Sequence, residues 1–258
     1  LVSITFRNLP PREITELAAE AQLCAIEWGG DVHVPHGDLA RAREVGRMTR
    51  DAGLTVAAYG SYYEVGRSEA GGLDFAGVLE TALALGAPLI RVWAGRRSPA
   101  QTDARSREAI VTDARRIAAL AERAGVPVAF EFHGGTLTET ADSTIDFLQA
   151  AHHPALATLW QPPVGMDDAG CIASLRRVLP SVRNLHVFYW GQAGFGDRRP
   201  LEEGRMRWGA LLALLAAAGR THYALLEYVA GDTPESFRWD ARMLREMISD
   251  LDGEKHVH

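Results

Sequence analysis

Eight times along its 258 residues the chain switches from a short apolar run to a stretch with helical periodicity. The runs are VSITF (2–6), CAIEW (24–28), LTVAAY (54–59), PLIRVW (88–93), VPVAFEF (126–132), ALATLW (155–160), VRNLHVF (182–188) and HYALLEYV (222–229). Each is too short for a core helix, and most are rich in β-branched or aromatic residues. The clearest helix spans about 104–124: Ile110, Ala114, Ile117, Ala118 and Ala121 recur on one face, with Asp103 as the expected N-cap and Gly125 just past the end. Thr233-Pro234 marks the start of the last helix, and Gly53, Gly86 and Gly219 are expected to close others. Alternating strand and helix implies a parallel sheet with right-handed crossovers. Eight such units predict an α/β fold, a (β/α)8 TIM barrel, as a single domain over 1–258 with a frayed tail from about residue 251. A doubly wound open sheet is the alternative, but no GxGxxG follows the first run and no P-loop occurs.

Charge narrows the partners. The net charge is −6, the only lysine is Lys255, and no basic run suggests a nucleic-acid face. Cys24 and Cys171 sit in apolar contexts and are expected to be buried thiols, with no disulfide framework. No stretch is long and apolar enough to span a bilayer, so no membrane partner is expected. The opening LVSITFRNL lacks a basic start and an apolar secretory core, and it begins on Leu1 instead of Met, which points to residues missing ahead of it. The cytoplasm is the expected location.

Polar residues then stand out near the ends of otherwise apolar runs: Glu27 in the second, Arg91 in the fourth, Glu131 and His133 in the fifth, Gln161 after the sixth, His186 in the seventh and Glu227 in the eighth. Side chains alternate along a strand, so Ala129, Glu131 and His133 share one face, as do Leu225, Glu227 and Val229. If those faces point into a barrel, the acids converge at its C-terminal mouth. An unpartnered buried carboxylate costs several kcal/mol at least, so something must neutralise them. Two solutions fit the residues. One is an ion-pair network around Arg91; the other is a single divalent metal ion held by Glu131, Gln161, His186 and Glu227, a mixed oxygen and nitrogen set suited to Mn, Mg, Co or Zn.

At these positions the chain resembles the xylose isomerase-like barrel family, which includes ketohexose 3-epimerases, inosose dehydratases, hydroxypyruvate isomerases and endonuclease IV. The resemblance covers essentially the whole chain and rests on IEWGGDVHVP, FEFHGGTLTET, LHVFYW and LLEYVAGDTPESF. It implies a metal held by Glu, Asp, His and Glu from the fifth to eighth strands, and Glu131, His186 and Glu227 match. The sixth position departs from the pattern: where the family has Asp, this chain reads LWQPPVGMD, which places Gln161 there. An amide oxygen still coordinates but brings no charge, so weaker metal binding or a different ion is expected. By the same resemblance, Glu131 and Glu227 are the catalytic acid/base pair of an isomerase or epimerase that moves a proton next to a carbonyl through an enediolate.

Substrate contacts are expected from His33, His133, Trp93, Arg198 and Glu27, with Glu27 equally readable as an Arg partner. Tyr59, Phe188 and Trp190 are further candidates for an apolar wall, and Trp208 is read as core. The expected partner is a small sugar or polyol-derived substrate, and the resemblance leaves a homo-oligomer open. Competing functions are an inosose dehydratase-like lyase and, because of Gln161, a non-catalytic sugar binder. A nuclease of the endonuclease IV type is opposed by the acidic balance and by AAYGSYY at the third strand, which lacks the histidine such a site needs.

Overall fold

The structure, a computed structural model, describes residues 1–254. Seven parallel strands run in sequential order: β1 (Ala25–Gly29), β2 (Thr55–Glu64), β3 (Ile90–Trp93), β4 (Val128–Glu131), β5 (Leu156–Trp160), β6 (Val182–Val187) and, after a short hairpin of β7 (Tyr189–Trp190) and β8 (Arg198–Arg199), β9 (Tyr223–Leu226). Residues 1–2 fill the seam between β9 and β1. The Val2 amide donates to Leu226 O at 2.8 Å, and Leu1 O accepts from the Glu27 amide at 2.8 Å. The result is a single-domain, nearly closed parallel barrel of the TIM type, which excludes the open sheet.

The expected first strand over 2–6 is a correction. Ser3–Phe6 form a buried 3-10 turn. The hydroxyl of Ser3 accepts from the Gly29 amide and that of Thr5 accepts from the Tyr228 amide, so side-chain oxygens replace the backbone ladder towards both neighbouring segments. Val2, Ile4 and Phe6 stay buried, which is why the run looks like a strand in sequence.

The helical ring matches its sequence signals. Asp103 caps α4 (Ala104–Arg123) by accepting from the Ser106 amide, and Ile110, Ala114, Ile117, Ala118 and Ala121 on its inner face are buried. Gly86 takes φ +79° to end α3 (Phe75–Leu85). Thr233 caps α8 (Pro234–Glu254) by accepting from the Ser236 amide. The helix continues through residues 251–254, where a frayed tail was expected; 255–258 lie outside the described residues. Trp208 is core, on α7 (Arg205–Ala216), whereas Cys24 is exposed, contrary to expectation, because it precedes β1 at the outer end of the barrel.

Two cores result. A large apolar cluster lies between strands and helices and takes Ile26, Trp28, Ile90, Val92, Phe130, Trp160, Leu185 and Val187. The barrel interior is filled by small and aliphatic groups, Ala58, Leu89, Ala129, Ala157 and Leu159, with Ala25 and Leu225 beside them. One pleat further along each strand, on that same interior face, come Glu27, Arg91, Glu131, Gln161 and Glu227. His186 is the inward residue of β6.

Candidate metal centre

Position two residues beyond an interior alanine or leucine delivers Glu27, Arg91, Glu131, Gln161 and Glu227 to one level of the barrel, and His186, two beyond Asn184, joins them from β6. Glu27, Arg91, Glu131, His186 and Glu227 are all at most 4 % exposed, and Gln161 is 9 % exposed. Burial at that depth forces them onto one another. Arg91 donates through Nε to Glu27 Oε1 at 2.6 Å and through Nη1 to Glu131 Oε2. The Trp93 indole donates to the same Glu131 oxygen at 2.5 Å. His186 stands at the centre: Nε2 is 3.2 Å from Glu27 Oε2, while Nδ1 is 3.2 Å from Gln161 Oε1, 3.3 Å from Glu227 Oε2 and 4.0 Å from Glu131 Oε1.

These contacts set the protonation. Burial alone would raise the Glu27 carboxyl, but Arg91 and His186 outweigh it and take it down to about 2. Burial alone would lower the His186 imidazole, but Glu227 and Glu27 push it up to about 10. Glu131 goes down from its ordinary value: desolvation opposes this, and Arg91 and then His186 prevail. The cluster is built for carboxylates that stay ionised beside concentrated positive charge.

The donor set also suits an ion. One ligand atom each from Glu131, His186 and Glu227 lies within 4.8 Å of the others, so the three form a buried group able to hold a metal. At metal–ligand bonds of about 2.0–2.2 Å, neighbouring ligand atoms sit roughly 3–4 Å apart. The spacings around His186 Nδ1 have that size, and Gln161 Oε1 points to the same space. The two sequence-level solutions therefore coexist: Arg91 binds the outer oxygens, and the inner ones converge.

The remaining candidates divide. His133 stacks on Trp93 at 4.6 Å, beside Glu131. Arg198 lies in the rim, its guanidinium over the rings of Phe195 (3.9 Å) and Tyr228 (4.6 Å) and paired with Asp232. Phe188 and Trp190 stack at 3.9 Å and line a cleft of about 650 Å³ with Pro162, Pro163 and Arg207, next to Gln161. Three of the expected contacts are buried and bond to groups of the protein. Glu27 spends both oxygens on Arg91 and His186. His33 is buried against Trp28 with Nδ1 2.9 Å from Ser3 Oγ, and Tyr59 is buried with its hydroxyl on Val34 O. Sequence reasoning missed Tyr62, whose ring lies 4.7 Å from the Arg91 guanidinium, and Tyr228. Both are non-glycine residues at φ +54°, a backbone feature with no signature in the sequence.

A family model described as the xylose isomerase-like TIM barrel matches residues 15–247. The chain belongs to that family. No curated protein matches it in sequence. Among solved structures it is similar to the probable 3-DHS dehydratase AsbF of Bacillus anthracis, with TM-score 0.82 and 20 % identity over 95 % of this chain and 97 % of that one. It is similar to a xylose isomerase-like TIM barrel protein of Mycobacterium smegmatis in complex with magnesium, with TM-score 0.71 and 18 % identity over 95 % and 92 % of the two chains. An L-ribulose 3-epimerase gives TM-score 0.72 and 14 % identity over 100 % and 96 %. At these identities the likeness is one of fold. Among the described residues, no helix is long and apolar enough to cross a membrane.

Proposed function

We propose that the protein is a divalent-metal-dependent isomerase or epimerase acting on a small sugar or polyol-derived carbonyl compound. The observation that carries this reading is the convergence of Glu131, Gln161, His186 and Glu227 around one space at the inner ends of adjacent strands. These four would hold the ion. A divalent ion held there (Mn, Mg, Co or Zn) would supply Lewis-acid chemistry beside the substrate carbonyl. Glu131 and Glu227 are the acid/base pair that moves the proton. Trp93 and His133 supply a flat wall beside the site, and Arg198 a cation at its rim. The M. smegmatis relative in complex with magnesium supports the ion, and the epimerase relative supports the reaction class.

One feature favours a second reading, a dehydratase. The two acids are not equivalent. Glu131 Oε2 is committed to Arg91 and Trp93, whereas among the described residues no donor other than His186 lies on the Glu227 carboxylate. A site with one freely proton-accepting carboxylate suits abstraction followed by loss of water, and the AsbF relative is described as a dehydratase. A metal-supplemented screen of ketoses, inososes and hydroxylated keto acids, read by mass and by solvent deuterium uptake, tests both. Unchanged mass with deuterium incorporation supports isomerisation, loss of one water supports the lyase, and failure to exchange any substrate proton with every ion tried rejects the proposal.

A further inference from the structure

His186 offers two ring nitrogens, and the side that faces the candidate ion site is decided by its other neighbour. Nε2 lies 3.2 Å from Glu27 Oε2. An ionised carboxylate only accepts hydrogen bonds, so this nitrogen must carry the proton. A ring that ligates a cation keeps a proton on one nitrogen only; with Glu27 holding the proton on Nε2, the ligating nitrogen is Nδ1, which faces the oxygens of Gln161, Glu227 and Glu131 that would share the ion. Glu27 cannot turn away: it is 0 % exposed, and its second oxygen receives Arg91 Nε at 2.6 Å. Arg91 reaches on to Glu131, tying the imidazole and a carboxylate of the site to one rigid guanidinium.

Gly60 on β2 makes the arrangement sterically allowed. A Cβ at this position would lie 2.5 Å from Arg91 Nη2 and 2.9 Å from Glu27 Oε1. Gly60 is not among the residues with positive φ, so the requirement is for space and not for backbone freedom. A metal site with an uncharged amide in place of a third carboxylate depends more heavily on the basicity and aim of its imidazole.

We propose that Glu27, clamped by Arg91 in the space left at Gly60, is a positioning residue that fixes His186 as the Nε2–H tautomer and aims Nδ1 at a cation shared with Glu131 and Glu227. The inference rests on the metal reading above and adds to it which protein groups prepare the ligand. It is tested by cobalt(II) titration of the full chain, followed by calorimetry and by the visible absorption of the bound ion, in wild type, Glu27→Gln and Gly60→Ala. Removing a carboxylate partner from a ligating histidine typically costs 10–100-fold in metal affinity. Both variants are expected to lose affinity in that range and to show an altered cobalt spectrum, although neither changes a ligand. Nitrogen-15 spectra of histidine-labelled, zinc-loaded wild type supply a second measurement that needs no variant: the Nε2 proton should be retained and the ion should sit on Nδ1. Variants that bind cobalt within twofold of wild type with an unchanged spectrum, or an ion found on Nε2, overturn the proposal while leaving a metal enzyme in place. A wild type that takes up no divalent ion removes the metal reading itself, and this inference with it.

Discussion

Both the strand tips and the rim loops above them set arginine against carboxylate, yet they handle charge in opposite ways. At the tips, Glu27, Arg91, Glu131, His186 and Glu227 are buried, and each shares a partner with the next. At the rim, Arg7 pairs with Asp31, Arg96 with Glu64, Arg198 with Asp232 and Arg199 with Asp197, each as a local pair with at least one side chain partly in solvent. A rim carboxylate that loses its arginine regains water. A tip carboxylate has no water to regain, so its neighbours carry the whole cost. The tips can therefore hold chemistry at fixed geometry, while the rim can change with substrate.

The largest effect that follows is on turnover. Glu131→Gln and Glu227→Gln should each lower the rate with an active substrate by about a thousandfold or more, since each removes both a ligand and a proton carrier. Wild-type-like rates in either would remove the distinction between tips and rim. Next comes stability. Arg91→Met leaves Glu27 and Glu131 buried without their cation, which should cost about 3–5 kcal/mol, or roughly 6–20 °C in melting temperature for a domain of this size. Arg198→Met at the rim should cost under about 1 kcal/mol and act chiefly on KM. Equal losses in thermal melts of the two variants would show that the two regions do not differ in the way described. Added divalent ion should raise the melting temperature of wild type in proportion to its affinity, and should do so much less in His186→Ala.

A further effect, a gain instead of a loss, sharpens the comparison at the link between rim and barrel. Asp240 on α8 accepts from the Leu201 amide just beyond the hairpin, and burial pushes its carboxyl up from 3.8 to about 6. Because the folded value exceeds the unfolded one, its favourable contribution is full below about pH 3.8 and is lost as pH rises through 6. Asp240→Asn keeps an acceptor without the charge. It should raise the melting temperature by a few degrees at pH 7.5, on the order of 1–2 kcal/mol, with the gain shrinking towards pH 4. A gain independent of pH would show that the buried charge is not the cause.

Much of this site was legible in the chain. Glu131, Gln161, His186 and Glu227 could be brought together because each stands within two residues of the end of an apolar run, and barrel closure brings the ends of successive strands into contact. Glu27 was harder to read. Its position matched too, but whether it faced substrate or protein depended on Arg91, and only the packing at Gly60 shows that the two interlock. The burial of His33 was not legible, because a loop histidine carries no periodicity and nothing in the sequence tells a buried contact with Ser3 from an exposed position.

What the sequence by itself determined is the repeating alternation, and with it the barrel, the inward face of each strand and the family, since successive side chains along a strand point to opposite faces. Tertiary structure alone decided the first segment's turn, the β7–β8 hairpin, the tyrosines at positive φ and which polar groups surround His186. Those features depend on which polar groups meet across the barrel, where a donor must find an acceptor from a distant part of the chain because water is excluded.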